Sequence, residues 1–162
     1  MRWLDHREPM PASLRGATVA LGNFDGFHRG HQAVAREAIE WARTEGRPSI
    51  IATFDPHPVR HFRPDLPPFR LTTLEQRQEL YLAAGATAML VFHFDGELAG
   101  TSAEDFVRVL LAGRLGVDPD RVYPWVTQEY AYHEKKVRLH FYRVPAWHGQ
   151  LHGREGQDMS WE

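Results

Sequence analysis

The residues of this chain best suited to chemistry lie near its N-terminus, in a glycine-punctuated segment that carries two histidines. Residues 22–31 read Gly-Asn-Phe-Asp-Gly-Phe-His-Arg-Gly-His. Glycines let a backbone turn sharply and come close to a ligand. His28 and His31 are one helical turn apart, so they can share a face and donate hydrogen bonds to a phosphoryl group that gains charge in a transition state. The segment therefore predicts a phosphate site with two catalytic histidines.

The elements that must position this segment are a strand before it and a helix after it. Residues 17–21 form a short apolar run, and residues 32–45 have helical spacing with Val34, Ala38, Ile39 and Ala42 on one side. At such a junction, the free N–H groups of the first helical turn and the helix dipole favour phosphate oxygens. The glycine spacing differs from the dinucleotide-binding and P-loop patterns. The alternative is an ordinary tight turn with a capping histidine.

Strands and helices alternate through the first two thirds of the sequence. Further strands are predicted over 48–54 and 86–92, with a proline-rich loop over 55–68 between them. Helices are predicted to begin at two capping boxes, Thr72-x-x-Glu75 and Thr101-x-x-Glu104. The second of these helices would have Phe106, Val109 and Leu110 inward and Gly113 near its end. Repeated βα units predict an α/β fold with a parallel sheet and ligands at the carboxyl ends of its strands.

The loop after the second of these strands is a further candidate site. Pro56 and Pro58 fix two backbone angles around His57, which predicts a stiff ledge at the same sheet edge as the two histidines. The alternative is a rigid solvent loop that only leads to the next helix. The residues alone leave both interpretations open. The remaining histidines of this region are expected to be surface or core residues: His6, His61 and His93.

The H-x-G-H signature within G-x-F-D-G-x-H-x-G-H resembles the adenylyltransferase module of bacterial bifunctional riboflavin kinase/FAD synthetases. Segments of residues 53–58, 68–72 and 94–106 agree with that family in the same order, and the match runs to Gly116. The resemblance implies a Rossmann-like nucleotidyltransferase sheet of the H-x-G-H superfamily. It also implies FMN adenylyltransferase activity, in which the FMN phosphate attacks the α-phosphorus of ATP and pyrophosphate leaves.

The resemblance further implies roles for individual residues. His28 and His31 would be catalytic, acting on phosphate charge by positioning and electrostatics without a covalent intermediate. A magnesium ion would accompany ATP, FMN would be a substrate, and no metal site built by the protein is expected. The ATP-binding residues would be Gly22, Asn23, Phe24, Asp25, Gly26 and Gly30. The flavin-binding residues would be Pro56, His57 and Pro58.

Two alternative functions stay open at this point. One is an adenylyltransferase with another acceptor, such as a nucleotide, pantetheine phosphate or a polyol phosphate, because H-x-G-H is shared across the superfamily. The Phe-Asp-Pro-His-Pro segment argues for the flavin enzyme instead. The other alternative is a truncated or chimeric nucleotide-binding module without activity, which the break in the family pattern after Gly116 favours.

The sequence after Gly116 is expected to form a β-rich appendage beside an incomplete nucleotidyltransferase sheet, with domains at 1–118 and 119–162. The tail is similar to the C-terminal strands of MutT-like Nudix hydrolases. Alternation over 137–141 predicts a half-buried strand, and residues 149–156 are turn-rich. The tail omits the glutamate-rich helix that holds magnesium in that family, so no hydrolysis is expected. Alternatively, it supplies strands that finish or cover the sheet edge. Its histidines are expected to be solvated: His133, His140, His148 and His152.

Composition sets the class of partner and compartment. The 162 residues carry a net charge of −2 and no cysteine. This predicts one domain by length, or one domain with an appendage, and no nucleic-acid or membrane partner. The absence of cysteine excludes disulfides and thiolate metal sites and suits a cytoplasmic protein. The small-molecule partners ATP and FMN are what the FAD synthetase resemblance implies, and the composition indicates no macromolecular partner beside them.

Overall fold

A parallel four-stranded sheet forms the centre of the fold in the computed structural model. In spatial order its strands are β1 (Leu4–Asp5), β4 (Ala88–His93), β3 (Ser49–Asp55) and β2 (Thr18–Leu21). β3 lies between two neighbours and its first five residues are buried. Its middle residues, 50–52, form an apolar run, as in strands that are covered on both faces. The predicted α/β fold with a parallel sheet is confirmed. β1, which joins the edge beside β4, was not predicted.

The structure describes residues 3–102 and 105–108, and the backbone of four later strands. The chain divides into two compact units, Met1–Thr101 and Ser102–Glu162. The domain boundary expected between residues 118 and 119 stays a prediction. The later strands are β5 (Asp118–Pro119), β6 (Tyr123–Tyr132), β7 (Lys135–Arg143) and β8 (Trp147–His148).

The described strands of the tail pair with one another. β6 pairs with β7 and β5 pairs with β8, each antiparallel. The strand predicted over 137–141 is confirmed by β7. The alternative that the tail finishes or covers the edge of the parallel sheet stays a prediction. The half-buried character of that strand, the turn-rich stretch over 149–156 and the tail histidine side chains lie outside what the structure describes.

Two longer helices pack against the strands of the parallel sheet. α1 (Arg29–Thr44) follows β2, and α3 (Leu74–Ala83) precedes β4. α1 begins three residues before the predicted start, because His28 is its N-cap. Its predicted apolar side is confirmed. Residues of that side are buried or pack against the core: Val34, Ala35, Ala38, Ile39 and Ala42.

The capping box of α3 is shifted by one residue from the predicted one. Thr73 Oγ1 accepts a hydrogen bond from Gln76 N at 3.3 Å, and Gln76 Oε1 accepts one from Thr73 N at 2.9 Å. The prediction of Thr72 and Glu75 is therefore wrong. The physical reason is that the Thr72 hydroxyl is already bonded elsewhere, to the glycine-rich turn.

The second predicted capping box is displaced in the same way. Ser102 Oγ accepts a hydrogen bond from Asp105 N at 3.0 Å, and residues 105–108 are helical. The hydroxyl of Thr101 instead donates to Glu97 O at 3.0 Å. Glu104 and the predicted inward positions 109 and 110, with the glycine at 113, lie outside the described residues.

Two short helices were not predicted, and the first lies within the loop expected over 55–68. α2 (Pro58–Phe62) begins at a proline, which fits the first position of a helix because no N–H is needed there. α4 (Gly96–Ala99) follows β4. In the part of the chain that the structure describes, no helix has the length and apolarity needed to cross a membrane.

Candidate active site

The glycine-rich turn follows β2 and is held in a strained conformation. Phe24 and Phe27 have φ angles of 43° and 36°, in the left-handed region that residues other than glycine rarely adopt. Both phenylalanines are only 3% exposed, and their ring centroids lie 6.2 and 5.0 Å from that of Tyr81. Burial of these rings offsets the cost of the backbone conformation. Tertiary packing therefore determines the shape of the turn.

Gly26 is a position in this turn that favours glycine. Its φ is +71°, so a side chain would face backbone strain there. A Cβ would also lie 2.8 Å from Leu71 Cδ1, and the exposed Leu71 side chain would have to shift. Gly26 N donates a hydrogen bond to Thr72 Oγ1 at 3.1 Å, so the close approach also fixes the backbone N–H.

The two histidines of the motif lie together at the start of α1. Their rings are stacked, with centroids 3.6 Å apart and planes inclined by 22°. His28 Nδ1 accepts a hydrogen bond from His31 N at 3.3 Å and so caps the helix. An accepting Nδ1 leaves the proton of neutral His28 on Nε2. The exposed His28 side chain can therefore donate a hydrogen bond to a ligand.

His31 is the more enclosed of the pair. Burial is the main cause that lowers its pKa from 6.5 to about 4, and the neighbouring His28 and the Arg77 charge act in the same direction. The Asp25 charge opposes the shift without cancelling it. The Phe24 ring packs against the imidazole nearly at a right angle, with a centroid distance of 5.3 Å. At neutral pH, His31 is therefore an uncharged hydrogen-bonding group.

We expect His31 to titrate with a pKa of about 4 in an NMR titration of the histidine ring protons. The pKa of His31 is lower in the folded protein than its ordinary value of 6.5, so the unfolded chain binds the proton first as the pH falls. The stability that neutral His31 contributes is therefore complete above pH 6.5 and is lost as the pH falls toward 4. The His31→Asn variant identifies the resonance by its disappearance. A His31 pKa at or above 6.5 would contradict this burial.

Two buried side-chain atoms in the described part of the chain have no hydrogen-bond partner, and both belong to the motif. They are Asn23 Oδ1 and His31 Nδ1. An unsatisfied buried polar atom costs about 1–3 kcal/mol, so such atoms are uncommon and call for an explanation. A ligand that supplies the missing partners is the explanation that fits a glycine-rich turn at a helix N-terminus.

The carboxylate of Asp25 is fully engaged within the protein. Its Oδ2 accepts a hydrogen bond from Leu71 N at 3.0 Å, and its Oδ1 accepts from Thr72 N and Thr72 Oγ1 at 2.9 and 2.7 Å. Burial opposes ionisation of this carboxyl. The hydrogen bonds from Leu71 and Thr72 and the Arg77 charge outweigh that effect and lower its pKa. Asp25 therefore stays ionised and ties the turn to the segment before α3.

Arg77, which sequence reasoning missed, is the positive partner of this carboxylate. Its Nη2 lies 3.1 Å from Asp25 Oδ1, and the side chain is almost completely buried. A signal was present in the sequence. Arg77 is at helical spacing from Leu74 and Tyr81, two inward-facing residues of α3, and a charged residue in an apolar stripe points to a buried partner.

The ledge predicted around His57 lines a pocket. Pro56 and His57 are joined there by four residues that the sequence analysis did not select: Arg60, Pro68, Phe69 and Arg70. His57 caps α2 by accepting a hydrogen bond from Val59 N at 3.2 Å, and burial lowers its pKa. Pro58 is the first residue of α2 and is not among the lining residues.

The pocket combines apolar surface with positive charge. The Phe69 ring meets the His57 ring edge-on at a centroid distance of 5.1 Å. Arg70 pairs with Asp55 at the end of β3, and the Arg60 guanidinium donates to Leu66 O. Proline and aromatic walls suit a planar aromatic ligand, and Arg60 supplies a positive charge beside them, whereas the Arg70 charge is paired with Asp55.

Comparison with known proteins decides the family. Residues 10–119 match the FAD synthetase family. The chain belongs to this family. The FAD synthetase resemblance predicted from the H-x-G-H segment is thereby confirmed, while the Nudix likeness of the tail stays a prediction. The match covers the turn, both histidines, Arg77 and the pocket, so all parts of the candidate site lie within the FAD synthetase region.

Named relatives agree with the FAD synthetase assignment. A putative bifunctional riboflavin kinase/FMN adenylyltransferase of Geobacillus thermodenitrificans is 37% identical over 107 residues, or 66% of this chain and 58% of the relative. The bifunctional enzyme of Escherichia coli K12 is 34% identical over 106 residues, or 65% of this chain and 34% of the relative. The bifunctional enzyme of Pseudomonas fluorescens is 38% identical over 103 residues, or 64% of this chain and 33% of the relative. The chain thus spans between about a third and three fifths of these relatives' length.

A solved structure supports the fold of this FAD synthetase region. The crystal structure described as a macrolide-efflux protein from Streptococcus pneumoniae matches with a TM-score of 0.54. It is 23% identical and covers 65% of this chain and 37% of that one. At this identity the likeness shows the shared fold alone.

Proposed function

We propose that this chain is an FMN adenylyltransferase, which transfers AMP from ATP to FMN with release of pyrophosphate. Membership of the FAD synthetase family, joined to a stacked histidine pair at a helix N-terminus, carries the proposal. A phosphate oxygen of FMN attacks the α-phosphorus of ATP, a new P–O bond forms, and the bond to pyrophosphate breaks. The charge that develops on the phosphates is the quantity that the site must stabilise.

The catalytic roles fall to His28 and His31. His28 donates through Nε2–H, and His31 acts as a neutral group whose buried Nδ1 lacks a protein partner. In the first turn of α1 the His31 N–H is already bonded to His28 Nδ1. The N–H groups before it have no carbonyl acceptor within the helix, so they suit phosphate oxygens. The ATP-binding residues are those of the turn and the helix start: Gly22, Asn23, Phe24, Asp25, Gly26 and Gly30. Asp25 contributes through the shape of the turn, since its carboxylate is already bonded.

FMN would use the pocket beside this turn. Pro56, His57 and Pro58 are the proposed flavin-binding residues, with Phe69 as an added aromatic wall. Asp25 of the glycine-rich turn accepts a hydrogen bond from the N–H of Leu71, the residue that follows Arg70 of the pocket, which supports a short separation between the two binding regions. Binding both substrates next to each other would supply most of the rate enhancement through proximity.

Magnesium would enter as the counter-ion of the ATP triphosphate. Residues 3–102 and 105–108 contain no group of three His, Asp or Glu side chains that could hold a metal ion. The Asp25 carboxylate is used within the protein, so the ligands of the ion would be phosphate oxygens and water.

The compartment and the domain organisation are further parts of the proposal. We place the protein in the cytoplasm. We propose domains at 1–118 and 119–162, and the second would resemble a Nudix fragment without hydrolase activity.

The decisive experiment is a calorimetric titration of the purified chain with Mg-ATP and with FMN, followed by incubation with both. We expect each ligand to bind and FAD and pyrophosphate to form in equal amounts. Pantetheine phosphate and a polyol phosphate, offered in place of FMN, are the matched acceptor controls. Failure to bind ATP would argue for a module of another kind, and adenylylation of a control acceptor in preference to FMN would reassign the substrate.

A further inference from the structure

A buried arginine joins the parts of the candidate site. Arg77 is 1% exposed, and every nitrogen of its guanidinium has a partner. Its Nη2 pairs with Asp25 Oδ1 at 3.1 Å, and its Nε donates to Thr72 Oγ1 at 3.2 Å. Its Nη1 donates to Thr53 Oγ1 and Phe54 O, both at 3.3 Å. The side chain therefore contacts the turn, the end of β3 and the segment before α3.

Two threonine hydroxyls extend these contacts to the backbone of the turn. Thr72 Oγ1 donates to Asp25 and accepts from both Gly26 N and Arg77. Thr53 Oγ1 accepts from Arg77 and donates to Asn23 O at 2.6 Å. Since each hydroxyl has one proton and two acceptor positions, the charge of Arg77 fixes the direction of both donated bonds. The turn is thereby held at Asn23, Asp25 and Gly26.

We propose that Arg77 is a positioning residue of the adenylyl-transfer site, which keeps the Gly22–Gly26 turn and the adjacent start of α1 in their reactive arrangement. The inference rests on the proposed function. Arg77 does not face the substrates itself, because it is enclosed by the groups that it orders. It acts through Thr53, Thr72 and Asp25 on the backbone that would contact ATP.

Stability alone does not account for a buried arginine at this position. Replacement of a buried ion pair by apolar side chains is often neutral or stabilising, so such a pair is weak evidence for a stabilising role. The turn, by contrast, needs an external constraint. It contains left-handed Phe24 and Phe27 and the unpartnered Asn23 Oδ1. A planar guanidinium serves several acceptors at fixed angles, which a lysine ammonium cannot reproduce.

The test compares Arg77→Met, Arg77→Lys and Ile50→Ala in the full chain. Ile50 is the matched control, because it is 1% exposed but lies at odd spacing from Thr53 on β3 and so faces the other side of the sheet. We expect Arg77→Met to lower kcat for FAD formation by about 10²-fold. Ile50→Ala should lower the unfolding midpoint at least as much as Arg77→Met does. Its kcat should nevertheless stay within about twofold of the parent value, because the turn is untouched. Arg77→Lys should retain an intermediate kcat.

A readout without turnover separates this inference from the proposed function. In a ¹H–¹⁵N spectrum, Arg77→Met should shift the Gly22 and Gly26 amide signals, and Ile50→Ala should leave them in place. Should the parent chain make no FAD, the proposed function fails while the amide shifts still test the positioning role. The positioning role would be overturned if Arg77→Met and Ile50→Ala had the same kcat and the same amide spectrum. If Arg77→Met does not fold, Arg77→Lys decides, and wild-type turnover in that variant would be the contrary result.

Discussion

The His28→Ala and His31→Ala variants should each lower kcat for adenylyl transfer by about 10²–10³-fold, the usual cost of removing a donor aimed at developing charge. The two rings stack at the N-terminus of α1, where phosphate charge would develop. Both variants should remain folded, since His28 is exposed and removal of His31 also removes an unsatisfied buried atom. The measurement is kcat and KM for FAD formation beside a thermal unfolding curve.

Two further variants separate catalysis from helix capping. His28→Asn keeps a side chain able to cap α1 but removes the Nε2–H donor, so its kcat should fall as far as that of His28→Ala. Arg36→Ala changes an exposed residue of the same helix and should leave kcat unaltered. Equal turnover in His31→Ala and the parent protein would remove the catalytic assignment.

The Asp25→Ala variant should lose about 3–5 kcal/mol of unfolding free energy, because it leaves the buried Arg77 charge without its partner. It also deprives the N–H groups of Leu71 and Thr72 of their acceptor. Asp25→Asn, which keeps an acceptor oxygen at the site, should lose less. The measurement is urea unfolding monitored by fluorescence, with the midpoint and slope fitted separately.

An exposed ion pair of the same chain provides the control. Asp65 pairs with Arg63 at 3.2 Å, but both side chains are exposed to solvent. Surface pairs contribute little because water and salt screen them. The Asp65→Ala variant should therefore unfold at the same urea concentration as the parent protein. If Asp25→Ala behaved like Asp65→Ala, the buried pair would not hold the turn as described.

Local sequence patterns were sufficient for the secondary structure around the motif and for the histidine pair. Apolar runs mark β3 and β4, and the 3.6-residue spacing of apolar positions marks α1, because each pattern reflects which side of one element is buried. The adjacency of His28 and His31 follows from their separation by one helical turn. The order of short motifs along the chain was sufficient for the family, as the match over residues 10–119 confirms.

The remainder of the candidate site depended on contacts between distant segments. Asp25 is 47 residues from Thr72, and Thr53 is 30 residues from Asn23, so no local spacing connects them. Arg77 has the appearance of an ordinary helical residue in sequence, and only the packing of α3 against the turn buries its charge and brings Asp25 to it. The same packing brings the Thr72 hydroxyl into a hydrogen bond with the turn, so Thr73 and Gln76 form the capping box instead. A sequence specifies which groups are available for bonding, whereas burial decides which of them must find partners, and burial is a property of the assembled fold.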